Sequence, residues 1–243
     1  MENGKRIDEM ASLPVTRLLV RYCVPAIATI IINALYNMVD RVFVGQVMGY
    51  AGITAVTVGG TAMTLMLALS NLIGIGAMAF FALSLGEGER KLASRITNQA
   101  FTLLLLLGGL ELAAGLLLLP QICRGLGAGE ESFLYTQQYL RIIFLGSAFQ
   151  AVGTGMVGFL RAEGFPTAAL VCTAGGAVLN ILLDALFLLV FGWGIAGAAA
   201  ATIIAQAFSA GYFLWWFTGP KRRITPLCVR DMRLQGKVVG RIF

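Results

Sequence analysis

Residues 178–191 read VLNILLDALFLLVF, an apolar run with one carboxylate, Asp184, near its middle. Beyond a Gly192–Trp193–Gly194 turn, residues 195–217 are apolar again. The first run reads as the middle of a membrane-spanning helix, and the second matches the ~20 residues a helix needs to cross a hydrocarbon layer of about 30 Å. An ionised Asp at the centre of such a helix costs roughly 2.5–3.5 kcal/mol on insertion scales, so carboxylates at that depth face a bundle interior and mark ion or substrate paths. Asn180 lies one turn earlier on the same helical face. A second apolar helix carries Asn33, Tyr36 and Asn37 on neighbouring turns and ends on another carboxylate, Asp40. Asp40 and Asp184 read as the working charges of a transporter.

The rest of the chain agrees. It has 243 residues, 58% hydrophobic and 12% charged, with a mean hydropathy of +0.83. A soluble domain carries about 25% charged residues. Residues 42–86 hold no charge and neither do residues 185–220; each stretch is too long for one span and must turn at a membrane surface. The pattern predicts an all-α membrane protein with six transmembrane helices. The first covers residues 15–45, with Pro25 inside it as a kink or hinge. The second covers residues 52–85. The third covers 93–119 and stops at Pro120. The fourth is a continuous 132–160, the fifth runs from Pro166 to Phe191, and the sixth covers 195–217. Residues 1–14 then form an N-terminal tail, 15–218 the six-helix lobe, and 219–243 a basic linker with the truncated start of a second lobe. The first twenty residues carry charges of both signs and lack the compact apolar core of a signal peptide.

The net charge of +6 does not indicate nucleic acid, because 15 of the 18 basic residues fall in, or within about two helical turns of, the segments before span one, between two and three, between four and five, and after six. All four lie on one side of a six-span protein, which the positive-inside rule makes cytoplasmic, with both chain ends there. There is no His, and Cys23, Cys123, Cys172 and Cys228 are scattered without a CxxC pair, which excludes a zinc or haem site and leaves them as packing residues. No cofactor is implied beyond a coupling ion, Na⁺ or H⁺.

Around Asp184, counting from the Gly192–Gly194 turn puts Asp184 eight residues before it and Thr202 eight residues after it, so a tight hairpin predicts Thr202 level with Asp184. Carboxylate, amide and hydroxyl together offer hard oxygen ligands for Na⁺ or a cage for a proton. Asp40 forms a stripe with Asn33 and Asn37, with Tyr36 beside it, and its neighbour Arg41 points about 100° away. Tyr139 either points its hydroxyl into the bundle or anchors at the interface. Glu111 interrupts the apolar third span with only Leu107, Gly108, Ala114 and Gly115 at helical neighbour positions. It reads as a carboxyl packed against small residues, and its change to Gln is expected to do little.

These residues carry a resemblance. LYNMVDRVFVGQ around Asp40, GITAV at the start of span two, LSLGEGERKLA after it, FLRAEGFP between spans four and five, and VLNILLDALFLLVFGWGIAGAAAATIIAQ across five and six together resemble the N-terminal lobe of a multidrug and toxic compound extrusion (MATE) transporter. The resemblance implies a protein of two six-helix lobes, of which this chain holds the first, so that a C-terminal lobe is the implied partner. It implies that Asp40, Asn180, Asp184 and Thr202 form a cation site, that Tyr36 and Tyr139 neighbour it, that Asn33 faces a substrate cavity, and that helix one bends at Pro25. The expected activity is export of amphipathic, often cationic drugs across the cell membrane in exchange for Na⁺ or H⁺, without enzyme chemistry. A related lipid-linked oligosaccharide flippase is the first alternative, though it calls for basic rather than acidic residues in the cavity. A passive channel or structural membrane subunit is the second.

Overall fold

The computed structural model describes residues 14–219 together with Leu227, Gly236 and Gly240. The expected tail at 1–14 and linker at 219–243 lie almost wholly outside the described residues. Those described are helical, and no strand occurs among them.

α1 runs over Val15–Gly86, 72 residues. A straight helix of that length would extend about 108 Å, more than three hydrocarbon thicknesses. It is two limbs. Gly49 leaves helical geometry at φ 62° and ψ −150°, a region that in practice only glycine enters. The limbs bend sharply there. A Cβ on Gly45 would stand 2.9 Å from the side chain of Ile53, whereas residues eight apart in a straight helix are about 12 Å apart. The turn expected across residues 45–52 is therefore a single-residue break. Pro25 lies inside the first limb without any departure from helical dihedrals, and Thr29 Oγ1 donates to the Pro25 carbonyl at 2.8 Å.

α2 covers Arg90–Leu117. Pro120 does not simply end this span: it sits in the first turn of a short α3, Leu119–Gly125, where its missing N–H costs nothing. The fourth span is not the continuous helix the sequence predicts. It is divided into α4 (Glu130–Leu145), α5 (Ser147–Gly155) and α6 (Val157–Ala162), with a 60° bend at Gly146. Ile203 explains the location, because a Cβ on Gly146 would stand 2.5 Å from that side chain. The fifth span is α7, Pro166–Asp184, followed directly by a π-helical segment, Ala185–Val190. α8 covers Ile195–Thr218. The limbs of α1, then α2, the bent α4–α6 unit, α7 with its π segment, and α8 make six apolar spans. The fold is an all-α bundle of helices long and apolar enough to cross a membrane.

Backbones approach closely where side chains are small, as expected of helices packed in lipid. Cβ atoms on Gly74 and Gly108 would stand 2.5 Å from the Gly155 carbonyl oxygen and the Ala148 Cα respectively. Two apolar clusters result. One gathers Phe81, Phe159, Phe213 and Phe217. The other gathers Val44, Met66, Tyr139, Leu188 and Ile195, and the polar site lies against it. Along the first limb Val24, Ile27, Ile30 and Leu35 are exposed.

Candidate functional site

The first limb carries one buried carboxyl more than two turns before its end at Gly49, and α7 ends on another. Asp40 is 8% exposed and Asp184 is fully enclosed. The two carboxyl groups face each other within hydrogen-bonding reach. Two carboxylates have no proton to share, and without one Asp40 Oδ1 and both Asp184 oxygens lack a donor. Arg41 is exposed on the other side of the helix and reaches Asp40 only through its field.

The aromatic hydroxyls join this pair. Tyr36 lies near both carboxyls. Tyr139, on α4 and 2% exposed, lies near Asp40, Tyr36 and Asp184 and within hydrogen-bonding reach of Thr202. Its hydroxyl donates to Met63 Sδ at 3.4 Å. The ring can come so close because Gly59 faces it, with a Cβ there standing 2.5 Å from the ring edge. Thr202 Oγ1 donates to the Ala198 carbonyl at 3.0 Å, which leaves its lone pairs free to accept. It makes no direct hydrogen bond to Asp184, whose oxygens have none. Asn180 is buried, with neither amide atom partnered.

The π segment sets this register. Its extra residue per turn changes the rise between Asp184 and the hairpin turn. Gly176 packs against Ala205 and Ser209, and Gly197 packs against Phe187. These pairs set Thr202 at a level between Asn180 and Asp184, nearer Asn180. Nothing in LDALFLLVF announces a π turn, so counting along ideal helices missed this offset. Met63 is the other participant the sequence reading did not single out.

Asn33 and Asn37 sit apart from the carboxyls. Asn33 is half-buried, and the exposed Asn37 donates Nδ2 to the Asn33 carbonyl at 2.7 Å. Asn37 lines a groove of about 550 Å³ with Met38, Arg41, Gln46 and Ile53. Tyr36 connects the two regions, since its hydroxyl meets the Asn37 side chain on one side and the carboxyl pair on the other.

Chemically, the cluster is a set of enclosed oxygens short of positive charge. Among the described residues no group of three or more His, Cys, Asp or Glu could hold a metal ion. Two carboxyls, an amide oxygen and hydroxyls suit a proton or a hard monovalent cation. Buried acceptors left without donors are costly, and either ion would relieve that cost.

Known proteins share this architecture. The multidrug export protein MepA of Staphylococcus aureus (strain MRSA252) is 24% identical over 204 residues, which is 84% of this chain and 45% of that protein. MepA of Staphylococcus saprophyticus is 24% identical over 225 residues, 93% of this chain and 50% of its own length. A multidrug resistance MATE family transporter of the MOP superfamily, solved in its outward-facing conformation, superposes with a TM-score of 0.86 at 24% identity, over 92% of this chain and 49% of that one. The chain thus spans about half the length of these relatives. The MatE family model matches residues 25–186, and the chain belongs to the MatE family of transporters.

Proposed function

We propose that this chain forms the ion-coupled lobe of a secondary active exporter, which moves amphipathic or cationic small molecules out of the cell in exchange for Na⁺ or H⁺. One observation carries the reading: Asp40 and Asp184 meet inside the lobe with no ion pair and with their oxygens short of donors. Two unit charges about 4 Å apart repel by about 4 kcal/mol at an effective dielectric of about 20. That is worth about three decades in a two-state equilibrium. An ion between the carboxyls removes the repulsion. The loaded pair favours the closed packing described here, and the empty pair favours a conformation in which the first limb and α7 separate. This difference in affinity between states is what lets a gradient drive transport.

Asn180 and Thr202 complete the oxygen set, with Tyr36 and Tyr139 as supports. Asn33 and Asn37 face the route of the transported molecule. Pro25 is where the first limb yields: with no N–H to give, it leaves one helical carbonyl unbonded, so bending there breaks one bond fewer. The partner is a second lobe of the same architecture. The setting is the cell membrane with both ends cytoplasmic, and no cofactor beyond the coupling ion takes part.

The test is Asp184→Asn in the transporter assembled with its second lobe, assayed in everted vesicles. Asn keeps size and an acceptor oxygen but cannot hold the ion. Gradient-driven efflux is expected to be lost while drug binding in detergent persists, and Asp40→Asn acts in the same direction. Normal efflux with Asn at 184 would make Asp184 a structural residue and remove the mechanism.

A further inference from the structure

Glu111 takes no part in the machinery above. It lies in mid-α2, 8% exposed, and neither carboxyl oxygen has a hydrogen-bond partner. It shares one helical stripe with Gly108 and Gly115. Gly108 abuts the start of α5: a Cβ there would stand 2.5 Å from the Cα and 2.8 Å from the backbone nitrogen of Ala148. Gly115 abuts the Phe144 ring. Ser147 Oγ donates to the Gly108 carbonyl at 2.7 Å. The stripe that bears Glu111 therefore faces residues 144–148, where the fourth span bends by 60°. The break exposes the first turn of α5, whose N–H groups lack intrahelical acceptors and form the positive end of the helix dipole. A buried carboxyl without a partner stands opposite a helix N-terminus.

No charge intrudes. Residues 42–86 of α1 and 142–160 of the fourth span carry none. Arg141 on α4 is exposed, Arg124 on α3 lies over the Phe133 ring at 5.7 Å, and the Tyr139 hydroxyl is turned to Met63. A sodium ion would find here one carboxylate and the Ser147 hydroxyl oxygen, which keeps its lone pairs while donating to Gly108, too few oxygens for a hard cation's shell. The ligand that fits is a proton.

We infer that Glu111 and the first turn of α5 form a proton site separate from the Asp40–Asp184 pair. With the proton on, the neutral carboxyl rests among Gly108, Gly115 and Phe144. With the proton off, the carboxylate takes N–H donors from residues 147–149, and the fourth span changes angle about Gly146. The inference does not depend on the transport reading, because the site titrates whether or not the carboxyl pair couples to efflux.

The test uses the full chain in lipid nanodiscs and infrared difference spectra over a pH series. The expected result is a protonated-carboxyl C=O band that disappears as pH rises, persists in the Asp40→Asn/Asp184→Asn double variant, and is absent in Glu111→Gln. Amide exchange at residues 147–149, corrected for its intrinsic pH dependence, is expected to slow as the band disappears and to stay flat in Glu111→Gln. A band that survives Glu111→Gln overturns the site, as does its absence from the double variant. Exchange that ignores the titration overturns the link to the helix break. Should Glu111→Gln fail to fold, ¹³C-glutamate labelling of a chain that keeps Glu111 decides. The label is read in a Glu163→Gln background, because Glu163 is the other buried glutamate among the described residues. Glu87, Glu89, Glu130 and Glu131 are exposed, and Glu2 and Glu9, which lie outside the described residues, are changed to Gln in the same background, so a shifted band in an apolar setting reports Glu111, and an unshifted one refutes it.

Discussion

Tyr139 holds the centre of the polar cluster through one hydroxyl and the apolar boundary through one ring. Tyr139→Phe separates the two roles. The ring still packs on Gly59, so the loss is the hydroxyl contact alone, about 0.5–1.5 kcal/mol of stability. The stabilisation that Na⁺ or acid confers on thermal unfolding is expected to shrink in Tyr139→Phe and to vanish in Asp184→Asn, as measured by melting in detergent across a salt and pH grid. The carboxyl pair makes a second prediction. In a background without the native cysteines, Asp40→Cys with Asp184→Cys places two thiols where the carboxyls meet. Cd²⁺ is expected to bind them and block alkylation, because soft thiolates favour soft metals; unhindered alkylation would show that the residues do not face each other. At this scale much was legible. A carboxylate in an apolar run has few places to go, so Asp40 and Asp184 could be named from composition alone. Their direct contact could not, because it depends on how two helices far apart in sequence are rotated. The placement of Glu111 was hidden for the same reason: its helical neighbours are small and apolar, and the helix end opposite it belongs to another segment.

At the scale of elements, Gly49 and Gly60 form a matched pair. Both have open space where a Cβ would go. Gly49 has a positive φ, whereas Gly60 is helical. Gly49→Ala is expected to cost about 1–3 kcal/mol through backbone strain alone. Gly60→Ala is expected to be neutral or to gain up to about 1 kcal/mol. Chemical denaturation of the two variants side by side checks this; equal effects would mean that the reversal is not held by its backbone geometry. The π segment gives another test. Deleting the exposed Leu189 is expected to remove the residue that the π turn absorbs, restoring α-helical spacing while Asp184 keeps its orientation relative to the hairpin turn. In the Asp40→Cys/Asp184→Cys background, Cd²⁺ should then still protect the two introduced thiols, and loss of protection would show that the segment does not absorb an extra residue. Glycine clusters and charge-free lengths announced the hairpins. The bend at Gly146 and the π turn left no such mark, because both follow from packing between spans: Ile203 needs the room that Gly146 leaves, and the six residues after Asp184 are as apolar as any ordinary helix.

For the molecule as a whole, six spans put residues 15 and 218 on the same face. Single cysteines introduced in place of Ala128 and Arg222 are expected to react with an impermeant thiol reagent from opposite sides of the membrane, and labelling of both from outside would overturn the arrangement. The count of spans was readable because hydropathy is a property of stretches, not of contacts. What would join the lobe to the proposed second lobe was not readable, since an apolar face such as Val24, Ile27 and Leu35 suits lipid and protein equally.

The reversal at Gly49 leaves no spare residues between the first two spans. With no slack between them, the two limbs can shift along the membrane normal only together. The depth of Asp40 in the bilayer is thereby tied to that of the whole second limb.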